Sequence, residues 1–247
     1  MLEGMYSAAA GMAAQQQRLD AVANDLANVN TAGYKHVRLA FRDLIYAAGA
    51  RGADKTVKFG AGAAASVIGR SVAQGALRNT GQPLDVALQG PGFLSVLDPN
   101  GKPALTRDGA LRIDGRNRLV AGGAGLVLQP TITVPAGTAP QDVHISPSGS
   151  VNVAGKVIGQ IQVVSVPAPS QLAGGPDNTF SVTRASGPAT PLKAGETEIS
   201  QGMLESSNTD VSDAMVDMID AQRGYQLASK AIQVQDQILE IANGVKK

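Results

Sequence analysis

The chain of 247 residues contains no cysteine and no tryptophan, and it has only two histidines, His36 and His144. The lack of cysteine excludes disulfide bonds, thiolate metal sites and thiol nucleophiles. Two histidines are too few for a histidine-based metal cluster. Acidic and basic residues nearly balance, 20 against 21, so no overall field attracts nucleic acid or an anionic membrane. We therefore expect no metal, no cofactor and no nucleic-acid partner.

Long hydrophobic runs are also absent. None approaches the ~20 residues that a helix needs to cross a bilayer, and the N-terminus lacks the basic and apolar regions of a cleaved secretion signal. We expect neither direct membrane insertion nor signal cleavage, although some export machines read uncleaved N-termini. Aromatic residues make up 3% of the chain and hydrophobic residues 43%, mainly as alanine and valine. This composition favours packing over chemistry.

Proline divides the chain into three parts. All 13 prolines lie between Pro83 and Pro191, so two helix-compatible ends flank a middle rich in turn-forming residues. In the middle, short apolar runs alternate with turn signals at 98–101, 108–109 and 114–115, a pattern typical of an all-β domain. The predicted strands are 84–88, 92–97, 104–107, 111–113, 132–134, 143–145 and 157–166.

The first segment predicts a helix from about Leu2 to Val29. Apolar residues recur there every seven positions, which is the spacing of a coiled-coil seam. The pattern ends near the run 28–33, where asparagine and glycine disfavour helix. The seam residues are Met5, Met12, Leu19 and Leu26.

The last segment predicts a longer helix, from about 210 to 243, roughly 50 Å in length at 1.5 Å per residue. Ser206–Asp210 offers several N-cap residues before it. The segment carries two apolar stripes on different faces, and one partner helix cannot cover both. The seam consists of Val211, Met218, Tyr225, Ile232 and Leu239, and the second stripe of Leu227, Ala231, Val234, Ile238 and Ile241.

These features predict an α+β fold. Long N- and C-terminal helices form a coiled-coil-like pair, and a central all-β domain follows an extended connecting region. The predicted segments are 1–30 (N-terminal helix), 31–80 (extended connector), 81–200 (β-rich outer domain) and 201–247 (C-terminal helix). Each large apolar side chain left exposed forgoes roughly 1.5–3 kcal/mol of burial. Because identical subunits in head-to-tail contact grow as a helical filament, the helices indicate a self-assembling protein.

Patterns typical of enzymes are weak in this sequence. The glycine-rich run 59–65 lacks the flanking strand and helix of a dinucleotide-binding loop, and no G-x-S-x-G nucleophile elbow occurs. Asp108 and Asp114 leave a glycosidase open as an alternative, although each stands beside a turn glycine. A secreted adhesin or carbohydrate-binding module on a helical stalk is another alternative. It needs exposed aromatic residues, and residues 80–200 contain only Phe93 and Phe180.

Five blocks of the chain, in order, resemble the bacterial flagellar rod and hook proteins. The block Asn24–Lys35 (N-D-L-A-N-V-N-T-A-G-Y-K) looks like the N-terminal signature of that family. Within the family, the sequence most resembles the distal rod proteins and next the proximal rod proteins. The other four blocks are 73–87, 106–109 (T-R-D-G), 201–208 (Q-G-M-L-E-S-S-N) and 218–225 (M-I-D-A-Q-R-G-Y).

The resemblance implies a structural, non-enzymatic subunit of the flagellar basal-body rod. Such subunits assemble into a hollow helical drive shaft that transmits torque from motor to hook and lets exported subunits pass. The resemblance also implies export by the flagellar type III apparatus without signal cleavage, and a place in the basal body, in the periplasm or cell-wall space. The implied partners are copies of the chain, neighbouring rod and hook proteins, and ring proteins around the shaft. A proximal rod or hook-type axial protein is the alternative within the family.

Under this resemblance, twelve residues become candidates for the assembly interface. Asn24, Asn28 and Asn30 would hydrogen-bond the backbone or neighbouring subunits where the first helix ends. The nine apolar residues would pack in the wall of the tube. These are Met5, Met12, Leu19 and Leu26 of the first helix against Val211, Met218, Tyr225, Ile232 and Leu239 of the last.

Overall fold

A computed structural model describes residues 2–47, 58–193 and 195–244, so residues 48–57 of the predicted connector lie outside the described residues. The N- and C-terminal helices and the β-rich middle are confirmed. The elements are α1 Leu2–Ala27, β1 Val37–Ala47, β2 Lys58–Arg70, β3 Leu77–Asn79, β4 Val86–Gln89, β5 Phe93–Leu97, β6 Pro103–Thr106, β7 Leu111–Ile113, β8 Leu119–Ala121, β9 Leu126–Leu128, β10 Val143–Ile145, β11 Ser150–Val153, β12 Lys156–Gln160, β13 Val163–Ser165, β14 Ala173–Gly174, β15 Thr179–Ser181, β16 Thr190–Pro191, β17 Glu198–Gln201, β18 Met203–Glu205 and α2 Val211–Gly244.

The chain forms two compact units. The helical unit consists of Met1–Ala27, Val37–Ile68 and Asp210–Lys247, and the β unit consists of Asn28–His36 and Gly69–Thr209. The boundaries of these two units differ from those of the four predicted segments.

In the helical unit, α1 and α2 lie side by side and antiparallel. Arg18 Nη2 donates to Asp217 Oδ1 at 2.5 Å. The side chain of Gln15 covers Gly224, and that of Gln235 covers Gly4. Residue numbers therefore rise along one helix as they fall along the other. Glycine at these two contacts lets a long side chain of one helix reach the backbone of the other.

The helical unit also contains the ribbon that β1 forms with β2. Strand β2 is rich in glycine and alanine because it runs close to α1: a Cβ added at Gly62, whose φ is +102°, would lie 2.8 Å from Cβ of Ala10. The predicted extended connector over 31–80 therefore contains this ribbon and strand β3, which the sequence pattern did not predict.

Helix α2 begins where an aspartate caps it. Asp210 Oδ1 accepts hydrogen bonds from the backbone N–H of Ser212 at 2.7 Å and of Asp213 at 3.2 Å. These bonds satisfy donors of the first turn, and they lower the pKa of Asp210. The predicted N-cap cluster thus contains the residue that starts the helix. No helix among the described residues is long and apolar enough to cross a membrane.

The β unit is built on one large sheet. Its strands follow the order β14-β15-β6-β5-β9-β8-β7, and β13 joins β5 to β16. Strands β10, β11 and β12 form a separate antiparallel sheet. Strands β3 and β4 pair with β18 and β17, which precede α2 in the chain. The main core contains fully buried leucine, isoleucine and valine residues, among them Leu94, Val96, Leu119, Leu126, Leu128, Ile132, Val143 and Val151.

Most predicted strands are present with shifted ends. The predictions at 111–113 and 143–145 coincide with β7 and β10. The predicted run 84–88 became β4, two residues later at its start, because Asp85 forms only an isolated bridge with Ala110.

Two strand predictions are wrong. Residues 157–166 form two strands instead of one, because residues 161 and 162 belong to neither strand. Ile161 is buried in the main core, and its N–H donates to the carbonyl of Gly149 at 2.8 Å. Residues 132–134 form no strand and make only an isolated bridge through Thr133. Their apolar pattern reflects the side chains of Ile132 and Val134, which fill the core without a continuous ladder.

Candidate functional site

The pairing face of the two helices consists of small residues. Ala14 and Val22 of α1 and Ala214 and Ala221 of α2 are buried, and Ala221 has no exposed surface. The predicted seam residues lie around this face. Met5, Met12, Leu19, Leu26, Met218, Ile232 and Leu239 are half-buried, while Val211 and Tyr225 are exposed.

Helix α2 carries a second apolar face, turned away from α1. At about 100° per residue, Leu227 and Val234 lie roughly opposite the face of Ala214 and Ala221. Leu227 is 70% exposed and Val234 is 48% exposed. We call this set the outer face of α2, and it consists of Val216, Ile219, Leu227, Val234, Ile238 and Ile241, all of them exposed.

The predicted asparagines stand near the end of α1. Asn24 and Asn30 are exposed, and Asn28 is half-buried. Asn28 Oδ1 accepts a hydrogen bond from Thr31 Oγ1 at 3.1 Å, and the carbonyl of Asn28 accepts from the N–H of Thr31 at 3.0 Å. Asn28 therefore holds a turn within the β unit, and its side chain bonds a side-chain hydroxyl there.

The β unit contains a buried ion cluster, which the sequence patterns did not reveal. Glu205 is 1% exposed and faces two cations. Its Oε1 accepts from Lys35 Nζ at 2.5 Å, and its Oε2 accepts from Arg107 Nη1 at 3.0 Å. The N–H of Gly75 also donates to Oε1, at 2.9 Å. We call Lys35, Arg107 and Glu205 the ion cluster.

Backbone carbonyls complete the cluster. Lys35 Nζ donates to the carbonyl of Ala73 at 2.6 Å, and Arg107 Nη2 donates to that of Gly90 at 2.8 Å. Burial lowers the pKa of Lys35 and of Arg107, while the hydrogen bond and charge of Glu205 oppose that shift. The carboxylate thus holds both cations in their charged forms inside the protein.

Asn208, close to the ion cluster in sequence, also joins segments that are far apart. Its N–H donates to the carbonyl of Tyr34 at 3.2 Å, and its Oδ1 accepts from the N–H of His36 at 2.9 Å. Its Nδ2 donates to the carbonyl of Ala73 at 2.9 Å. The chain after α1 and the chain before α2 are therefore fixed to each other within the β unit. Sequence reasoning singled out these blocks by resemblance alone and assigned no role to Lys35, Arg107, Glu205 or Asn208.

Gly33 stands at the closest approach in this region. Its φ of +65° lies in the left-handed region, its N–H donates to the carbonyl of Glu205 at 2.7 Å, and an added Cβ would collide with the carbonyl group of Arg107. We expect Gly33→Ala to lower the free energy of unfolding of the β unit by about 2 kcal/mol or more, because strain and a backbone clash add together.

Urea unfolding followed by circular dichroism measures this loss. The matched control is Gly101→Ala, at a glycine with φ of +77° where an added Cβ meets nothing within 4 Å. The control should lose only the conformational part, about 1 kcal/mol. Equal losses in the two variants would contradict the close approach at Gly33.

The two carboxylates of the glycosidase alternative serve turns. Asp114 accepts from the N–H groups of Arg116 and Arg118 and from Arg118 Nε, and these bonds lower its pKa. Asp108 accepts from the N–H of Ala110, and burial raises its pKa. Among the described residues, no group of three or more His, Asp or Glu side chains is placed to hold a metal ion.

The aromatic residues of the adhesin alternative are buried. Phe93 and Phe180 pack against each other with ring centroids 5.5 Å apart, in a second core with Leu105, Val164 and Leu172. Neither phenylalanine offers the exposed platform that a carbohydrate-binding surface needs, so the outer face of α2 is the stronger candidate for an interaction site.

Three protein-family models match the chain in separate regions. The model described as "Flagella basal body rod protein" matches residues 5–35, "Flagellar hook protein FlgE/F/G D1 domain" matches 87–153, and "Flagellar basal body rod FlgEFG protein C-terminal" matches 200–245. Each residue of the ion cluster comes from a different matched region.

Curated relatives match along the whole chain. The flagellar basal-body rod protein FlgG of Borreliella burgdorferi is 37% identical over 267 aligned positions, which cover all of both chains. FlgG of Bacillus subtilis is 33% identical, again over all of both chains. The flagellar hook-basal body complex protein FlhP of Bacillus subtilis is 31% identical over 271 positions and the full length of both. The similarity therefore includes both helices and the β unit.

Proposed function

The chain belongs to the flagellar basal-body rod protein family, and we propose that it is a structural subunit of the rod that assembles with copies of itself. FlgG relatives that match over their full length support this role, and they support a place in the flagellar basal body. Partners among other rod and hook proteins agree with the family models. The proposal assigns the chain no catalytic step.

The outer face of α2 is the observation that carries the proposal. Six large apolar side chains on this face remain exposed although α2 already pairs with α1. Burying such a side chain stabilises by roughly 1.5–3 kcal/mol, so the face offers on the order of 10 kcal/mol per copy. A gain of this size is comparable to the ~4–15 kcal/mol that association costs in lost freedom. Contacts with more than one neighbour would make assembly favourable.

The proposal also covers the form of the assembly, its role, its export and its position in the rod. The helix pair packs in a coiled-coil-like manner and forms the wall of a hollow helical tube. The tube serves as the drive shaft between motor and hook, and later subunits pass through it. The subunit is exported by the flagellar type III apparatus without cleavage and takes a place in the distal rod, surrounded by ring proteins. The full-length similarity to FlgG proteins supports the distal position over the proximal one.

Assembly of the purified chain tests the proposal. We expect a concentration series to form long particles, seen by sedimentation velocity and electron microscopy, above a defined critical concentration. We also expect the chain to restore motility to cells that lack their own rod subunit. A chain that stays monomeric over the whole series and restores no motility would overturn the proposal.

A further inference from the structure

A small cavity lies in the β unit beside the ion cluster. Its volume is about 140 Å³. Its lining combines apolar side chains, which we call the apolar wall, with cationic side chains, which we call the cationic wall. The apolar wall consists of Phe93, Leu172 and Phe180 of the second core. The cationic wall consists of Lys35, Arg70 and Arg107, and the Arg107 guanidinium lies over the Phe93 ring, 5.4 Å from its centroid.

Two of the three cations of the cationic wall pair with a carboxylate. Glu205 pairs with Lys35 and Arg107, whereas Arg70 forms no ion pair with any described residue. Arg70 is held by its environment instead. Its Nη1 donates to the carbonyl of Lys35 at 3.0 Å, and its guanidinium lies over the rings of Tyr34 and Phe180, 5.6 and 5.7 Å from their centroids. The cavity wall therefore carries two positive charges in excess.

Hydrogen-bond donors at the wall also remain unused. Arg107 is 6% exposed, yet its Nε has no hydrogen-bond partner among the residues that the structure describes. Lys35 Nζ has three protons and makes two hydrogen bonds, to Ala73 and Glu205. A buried donor without a partner costs about 1–3 kcal/mol. The excess positive charge and the unused donors both indicate that the cavity can accept a second anionic group.

We propose that this cavity binds a carboxylate group. A carboxylate offers two oxygens in the plane that a guanidinium donates to, and it carries an apolar carbon that suits the phenylalanine wall. The volume fits a group of the size of acetate or of an aspartate or glutamate side chain. The cavity shares no residue with the outer face of α2, so the site and the proposed rod function are tested separately.

Two sources offer the same chemistry, a free small carboxylate or an acidic side chain of a neighbouring copy. Binding is tested with acetate as the probe and the full chain below its critical concentration. Saturation-transfer difference NMR on the acetate methyl group gives the affinity, at constant ionic strength balanced with sodium chloride. We expect a saturable signal with the unaltered chain.

Two variants make the test specific. Arg70→Gln removes the unpaired charge and leaves the ion cluster intact, so we expect acetate binding to weaken at least about tenfold. Leu172→Phe keeps every charge but adds volume at the apolar wall, and it should block binding as well. The matched control is Arg116→Gln, at an exposed arginine in a turn away from the cavity, and it should bind acetate with unchanged affinity.

The outcomes separate clearly. No saturable signal from the unaltered chain, or equal affinity in Arg70→Gln and Arg116→Gln, would overturn the proposal. If acetate binds and also raises the critical concentration for assembly, the natural occupant is a side chain of a neighbouring copy. If acetate binds without changing assembly, the occupant is a free carboxylate. Failure to bind acetate leaves the assembly experiments unaffected, so the two proposals fail separately.

Discussion

Replacing Glu205 with glutamine is expected to lower the free energy of unfolding of the β unit by about 3–5 kcal/mol. Glutamine keeps the shape and one acceptor oxygen but removes the negative charge that pairs with both Lys35 and Arg107. Both cations are buried, so neither can recover solvation by turning to water. Urea unfolding followed by circular dichroism measures the loss.

The same variant should show a characteristic pH dependence. Burial already lowers the pKa of Lys35, and loss of Glu205 removes the two contributions that oppose the shift. Between the lowered pKa and the ordinary value of 10.5, the unfolded chain binds more protons than the folded one, so stability rises with pH. The deficit of Glu205→Gln should therefore be smaller close to pH 10.5 than at neutral pH.

A matched control separates burial from charge. Glu198→Gln makes the same chemical change at an exposed residue of β17, close to Glu205 in the sequence. It should alter stability by no more than about 0.5 kcal/mol at either pH. If Glu205→Gln lowered the free energy of unfolding no more than the control does, the two cations would be stable without a partner. The ion cluster would then not hold the chain after α1 to the chain before α2.

The helices could be predicted from the sequence because their patterns are long. Several heptads define each helix, and the observed ends at Ala27 and Val211 differ from the predicted ones by one or two residues. The heptads place Val22, Ala214 and Ala221 at the second seam position, and these residues are buried at the centre of the pairing face. The large seam residues lie around this centre, because small side chains let the helix backbones approach closely.

The ribbon and the ion cluster could not be predicted in the same way. Strand β2 is mostly glycine and alanine, so it has no alternation of apolar and polar residues, and contact with α1 selects its composition. The partners in the ion cluster lie 98 and 170 residues apart in the sequence. No local pattern encodes a contact over that distance. The one available signal was that Lys35, Arg107 and Glu205 all fall in blocks that resemble the rod and hook family.

Leu227→Asp is expected to prevent assembly while leaving the monomer folded. Leu227 is 70% exposed in the single chain, so an aspartate there meets water and changes the stability of the monomer by less than about 1 kcal/mol. Under the proposed function, the outer face of α2 is covered in the assembled rod, so the aspartate would be buried there without a cation. That burial costs several kcal/mol. A loss of about 3 kcal/mol per copy raises the critical concentration roughly 100-fold.

The matched control is Gln226→Asp, which introduces the same residue one position earlier, at an exposed polar site. Both variants carry the same helix-propensity cost of aspartate, so a difference between them reports on the apolar face alone. Sedimentation velocity gives the critical concentration, and circular dichroism confirms that both monomers keep their helices. If Leu227→Asp assembled at the critical concentration of the control, the outer face of α2 would remain in water in the rod. The exposed apolar face would then no longer support the proposed function.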